Sequence, residues 1–187
     1  MHFSPPSQLI AALLMLTLGS AQAPCWQGDE LSGELRFSGQ VEDERFTGQF
    51  GDFVVRVCRP EGSGWQESRW SVRVATASAD THNRDRDDTL HGQYFFAVDD
   101  FPTANWTSTA VRETNGRLVL EGELELRGFT ASQSVQVDVD SSGQTLVLEG
   151  MAEIARLEFG VGQGEYADTG FIRDRVDLEF DLRLTPQ

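Results

Sequence analysis

Lysine is missing from this chain of 187 residues: all 15 basic residues are arginines, and 30 acidic residues bring the net charge to -15. So acidic a chain repels phosphate backbones and anionic headgroups, which argues against nucleic-acid binding and against membrane docking through a basic patch. Histidine is scarce too, with 3 in all. His82 and His91 do not stand at the i, i+4 spacing of a metal-binding helix face, and acid–base or nucleophilic catalysis needs a base that the chain hardly supplies. We therefore expect no catalytic residues, no metal ligands and no cofactor, and a small-molecule hydrolase is the weakest of the readings considered. Cysteine occurs only at positions 25 and 58, without the C-x-x-C spacing of dithiol catalysts. Long apolar runs are absent beyond residue 23, so no transmembrane segment is expected in the mature chain.

The one apolar run, Leu9 to Leu18, leads into Gly19-Ser20 and Ala21-Gln22-Ala23, the shape of a signal peptide. The expected division is a leader over 1–23 and one domain over 24–187, with a periplasmic or secreted location. Pro24 before Cys25 argues against a lipoprotein. In an oxidising compartment a Cys25–Cys58 disulfide is the default expectation, two unpaired thiols being the alternative. Such a bridge closes a loop of about 34 residues, and chain entropy values it at on the order of 4 kcal/mol.

Beyond residue 30 the dominant pattern has period two. Leu118, Leu120, Leu124 and Leu126 alternate with Val119, Glu121, Glu123 and Glu125, and Val176, Leu178, Phe180, Leu182 and Leu184 with Asp177, Glu179, Asp181 and Arg183. One face of each strand is apolar and the other charged. Further strands are expected over 31–41, 45–58 with a break at Gly51-Asp52, 69–76, 105–112, 135–139 and 146–154. Asn115-Gly116 suits a two-residue type I′ hairpin. Only 84–95 departs from the pattern. Asn83 can cap a helix there, with Asp85, Asp87 and Asp88 in its first turn. About eight antiparallel strands and one helix fit either a sandwich or a closed barrel. Inward parity collects Leu35, Phe37, Val55, Val57, Trp70, Val72, Leu120, Leu124, Leu126, Leu148, Phe180 and Leu182. These inward residues suit a packed core as well as a ligand wall; against packing, glycines at 33, 39, 48, 122 and 150 remove volume from strand positions, and both readings stay open. Gly160, Gly162 and Gly164 have the wrong spacing for a phosphate loop and read as a strand-to-loop bend.

Thr81, Asn83, Arg86-Asp87 and Leu90 are followed by Phe95-Phe96, Phe101-Pro102, Trp106 with Ser108-Thr109, and the segment Gly122 to Thr130. With Phe46-Thr-Gly48-Gln-Phe50 and Arg156-Leu-Glu-Phe159-Gly160, this order closely resembles the YceI-like, polyisoprenoid-binding family of secreted bacterial proteins. The resemblance implies an all-β, antiparallel, eight-stranded lipocalin-like barrel with one short helix covering one end. It implies a long apolar isoprenoid, a polyprenyl phosphate or a quinone, as bound ligand. The ligand-binding set it suggests is Leu35, Phe37, Val55, Trp70, Val72, Phe95, Phe96, Trp106, Leu120, Leu124, Leu126, Leu148, Phe159 and Phe180. Some relatives are associated with b-type cytochromes, so an acidic docking partner of a membrane redox protein is the alternative reading.

Overall fold

The computed structural model describes residues 23–141 and 143–187, so the expected leader falls almost wholly outside the described residues. Eleven strand segments form one sheet: β1 (Cys25–Asp29), β2 (Gly33–Val41), β3 (Glu44–Phe50), β4 (Phe53–Cys58), β5 (Arg69–Ala75), β6 (Ala79–Asp80), β7 (Thr103–Thr114), β8 (Arg117–Leu126), β9 (Phe129–Asp140), β10 (Leu146–Ala155) and β11 (Arg175–Pro186). The short segments belong to longer staves. β1 and β2 both pair with β11, through Trp26↔Pro186 and Gly33↔Leu182. On their other side β1 pairs with β4 and β2 with β3, while β5 and β6 pair with β4 and β3 in turn. Eight antiparallel staves therefore close into a barrel, which removes the exposed edges an open sheet would present.

Period-two alternation carried most of this, and the expected break at Gly51-Asp52 separates β3 from β4. Two short segments, β1 and β6, were not expected from the sequence. In the hairpin between β7 and β8, Asn115 (φ 54°) and Gly116 (φ 81°) both take the positive φ of a type I′ turn. Arg127 and Gly128 make a second such turn between β8 and β9, with φ of 53° and 75°.

Among the described residues one α-helix, α1, spans Arg84–His91, ending four residues before the expected Phe95. The cap matches expectation, the Asn83 side chain accepting from the Arg86 amide at 3.1 Å; Asp85 and Asp87 lie in the first turn, and Asp88, also expected there, falls beyond it. It stops because Gly92 is extended, and the chain then turns so that Phe95 is buried in the barrel. Asp87 accepts from the Thr81 amide at 2.9 Å and the Thr81 hydroxyl at 2.6 Å. Burial acts to raise the Asp87 pKa, but these hydrogen bonds outweigh it and hold the carboxyl below its usual value.

The barrel's two ends differ. At one, Cys25 and Cys58 face each other in register on β1 and β4 and are joined by a disulfide. Above them Val57, Leu118, Val137, Leu146 and Leu184 are buried and plug that end with side chains. At the other end, the link carrying α1 and the link from β10 to β11 cross. Gly162 and Gln163 donate to the Tyr94 carbonyl at 2.7 and 3.0 Å, and the Phe95 and Tyr166 ring centroids lie 5.0 Å apart.

Candidate functional site: an apolar cavity inside the barrel

Between plug and helix end the interior is hollow. The cavity measures about 210 Å³, an order of magnitude more than the roughly 10–15 Å³ that holds one water. Inward parity places its walls. Leu35, Phe37, Val55, Trp70, Val72, Trp106, Leu120, Leu124, Leu126, Leu148 and Phe180 line it from the strands, and Phe95 and Phe96 from the segment after α1. Every residue of the expected set except Phe159 is on this wall. Phe159 is fully buried in the β10–β11 link, outside the strands, where alternation says nothing about direction. Val57, also assigned inward, belongs to the plug, whereas Leu182 reaches the cavity.

Several wall residues were not singled out from the sequence: Phe46 and Phe50 on β3, Val74, Ala104, Val135, Ala152, Ile154, Val176 and Leu178 on other strands, and Leu90 on α1. The alternation Phe46-Gly48-Phe50 was the available signal for the first two. Among the wall positions of inward parity on strands, Gln133 of β9 is the one that is neither apolar nor glycine.

The glycines act differently from expectation. A Cβ on Gly39 would stand 2.8 Å from the Phe46 ring, and one on Gly48, Gly122 or Gly150 would run into the rings of Phe37, Trp106 and Phe180 respectively. Phe46, Phe37 and Phe180 are the direct cross-strand partners of Gly39, Gly48 and Gly150. The space each glycine frees is thus occupied by an aromatic ring lying against the wall. The hollow survives because large rings rest on glycine backbone. Gly33 is a separate case: with φ 152° it sits against the Asp181 backbone, where a side chain has no room.

Arg156 closes the wall at the helix end. It is 3% exposed, and its guanidinium donates to five backbone carbonyls: Arg173 (3.0 Å), Val161 (2.8 Å), Gly162 (3.0 Å), Tyr166 (2.7 Å) and Ile172 (2.8 Å). These use all five of its N–H groups. Burial pushes its pKa below the ordinary arginine value, and the nearby Asp174 carboxylate partly offsets this. One side chain therefore sets the path of the whole β10–β11 link.

Apart from Arg156 and Arg173 at the helix end, the charged side chains of the strands face outward. Glu121, Glu123 and Glu125 of β8 and Asp177, Glu179 and Asp181 of β11 alternate with the inward apolar residues, and Arg175 bridges Glu153 and Asp177 at 2.7 and 2.6 Å. His82 and His91 do not converge: His82 lies 3.3 Å from Asp80, and His91 Nε2 is 3.0 Å from the Ala79 carbonyl. Among the described residues no group of three or more histidine, cysteine, aspartate or glutamate side chains is placed to hold a metal. The chemistry of this interior is burial of an apolar group.

The profile of the YceI-like domain matches residues 26–184. The chain belongs to the YceI-like family. A UPF0312 protein of Shewanella oneidensis is 32% identical over 101 residues, a match covering 54% of this chain and 50% of that protein, so the alignment spans about half the relative's length. Among solved structures, BcnA of Burkholderia cenocepacia superposes with a TM-score of 0.78 at 24% identity, covering 83% of this chain and 98% of that one. A polyisoprenoid binding domain from Saccharophagus degradans, implicated in plant cell wall breakdown, superposes at 0.67 with 14% identity over 89% of this chain and 100% of that one. At these identities the structures establish the shared barrel. In YceI-like terms, the F-x-G-x-F segment is the ring-on-glycine wall of β3, and the R-x-x-F-G segment is the Arg156 clasp with buried Phe159.

Proposed function

We propose that this protein is an exported, non-catalytic carrier that encloses a long apolar chain, an isoprenoid or quinone-like amphiphile, inside its barrel. Residues 1–23 would direct it to the periplasm or beyond. The observation that carries this reading is a cavity of about 210 Å³ with an almost wholly apolar wall. At about 24 cal/mol per Å³, an empty space of 210 Å³ costs on the order of 5 kcal/mol. That compares with a net domain stability of about 5–15 kcal/mol. A ligand that fills the space restores the lost contacts. Each buried CH₂ adds about 0.8 kcal/mol, so a few isoprene units bring on the order of 10 kcal/mol before ordering costs are subtracted. The name of the polyisoprenoid binding domain that shares this fold points the same way.

Trp70 and Trp106 line the cavity and supply the test. A long-chain quinone titrated into delipidated protein should quench tryptophan emission saturably, and a non-quenching polyprenol should reverse the quench. A quench that does not saturate, or that polyprenol fails to reverse, overturns the carrier reading. The carboxylate rows on β8 and β11 favour a second reading, contact with a basic surface on a membrane redox partner. It predicts association that weakens as salt rises past roughly 0.15 M.

A further inference from the structure

The seam between β9 and β10 is unfinished. β10 keeps full register with β11 as far as Ala155↔Arg175, and β9 keeps full register with β8 as far as Phe129↔Leu126. Between β9 and β10 the ladder stops at Gln136↔Met151, although both strands run on toward the helix end. Continued in that register, Val135 would face Ala152 and Ser134 would face Glu153. In place of that pairing the Gln133 carboxamide spans the split, its Nε2 donating to the Ser134 carbonyl and the Glu153 carbonyl, each at 2.9 Å. The backbone carbonyl of Gln133 accepts from Trp106 Nε1 at 3.1 Å, which anchors the base of this staple to the cavity wall.

Both ends of the barrel carry cover of their own. Side chains plug the disulfide end, and the interlocked links tie the helix end. The early stop of pairing along β3 is covered by α1, whose Arg86 guanidinium lies 4.9 Å from the Phe46 ring centroid. At the β9–β10 split, cavity-lining Ala152 and Ile154 stand behind the staple, and exposed Met151 lies on the outer face of β10 beside it. Opening it requires breaking one side-chain hydrogen bond across the split, from Gln133 to the Glu153 carbonyl, whereas the neighbouring β8–β9 and β10–β11 seams would lose a run of backbone rungs.

We propose that the β9–β10 split is the portal through which the apolar chain passes, and that Gln133 is both its latch and the residue that reads the ligand's head. This rests on the carrier reading. An amide swung out of the split offers a donor and an acceptor to a neutral oxygen head, a hydroxyl or a carbonyl, once the tail has entered. The class implied is a long apolar chain ending in one such group. Gln133 would make its specificity contact at the rim, with the tail directed toward the plug.

Exchange kinetics test the proposal, using N-phenyl-1-naphthylamine as probe and farnesol, farnesyl phosphate and hexadecane as competitors. Gln133→Ala should speed probe release at least tenfold while leaving the cooperative unfolding transition in place, and should abolish any preference for farnesol over hexadecane. A short crosslink between Ser134→Cys and Glu153→Cys, whose side chains share the outer face, should slow exchange at least tenfold. A crosslink between Tyr94→Cys and Tyr166→Cys at the helix end should leave it unchanged. Exchange stopped by the helix-end crosslink and not by the seam crosslink overturns the portal. Farnesyl phosphate displacing the probe more strongly than farnesol overturns the neutral-head assignment. Failure of the unaltered protein to bind probe or competitor overturns this inference and the carrier reading together, whereas binding with unaltered exchange in both seam variants overturns the portal alone.

Discussion

Filling the cavity should make the unliganded protein more stable while weakening its hold on ligand. Ala152 and Ala104 line the cavity from β10 and β7, at inward positions where added carbons meet empty space. Ala152→Leu adds three carbons, and at about 0.8 kcal/mol per buried CH₂ the ligand-free protein gains about 2 kcal/mol. For a domain of this size each 1 kcal/mol shifts Tm by roughly 2–4 °C, so the rise is about 4–8 °C. Ala104→Leu should behave alike, and the pair should add only where the new side chains do not touch. Ligand binding moves the other way, because the same carbons occupy volume a prenyl chain would fill. Calorimetry of delipidated protein gives the first quantity, and quenching of Trp70 and Trp106 the second. If the interior were solid, the added carbons would overpack it and cost about 1–3 kcal/mol. A drop in Tm for both variants would refute the hollow-wall argument.

Replacing Cys25 and Cys58 by serine should cost about 2–4 kcal/mol in denaturant titrations and leave ligand affinity in place, because the bridge lies beyond the plug. Arg156→Met should cost upward of about 4 kcal/mol, since buried carbonyls without donors cost about 1–3 kcal/mol each, and Arg156→Lys, with three donors, should recover only part of it; thermal unfolding measures both. The depressed Asp87 pKa implies stability that is complete above its unfolded value near 4 and is lost as pH falls through the lower folded value. Asp87→Asn should therefore flatten the acid limb of the stability profile below pH 4 and leave the slope above pH 5 unchanged.

Alternation exposed the barrel because each inward row is continuous and each outward row charged, as in β8 and β11. It failed wherever a segment was too short or lay outside the ladder. β1 has only five residues, Cys25–Asp29, with Gly28 in an inward position, so no apolar period shows. Phe159 is fixed by the Arg156 clasp, whose acceptors are backbone carbonyls that no side-chain pattern records. The glycines were read as missing volume, yet their meaning depends on which residue lies across the strand, a register the sequence does not state. Gln133 was hidden for a related reason: in β9 serine, glutamine and alanine blur the alternation, and only the broken ladder reveals a polar side chain standing in for backbone.

Mass spectrometry of the protein released gently from its native host is the most direct test. The account predicts a co-purifying long-chain lipid at near one molecule per chain, absent from a variant carrying Ala104→Leu and Ala152→Leu together. Protein that emerges empty and binds no quinone or polyprenol in vitro would contradict it.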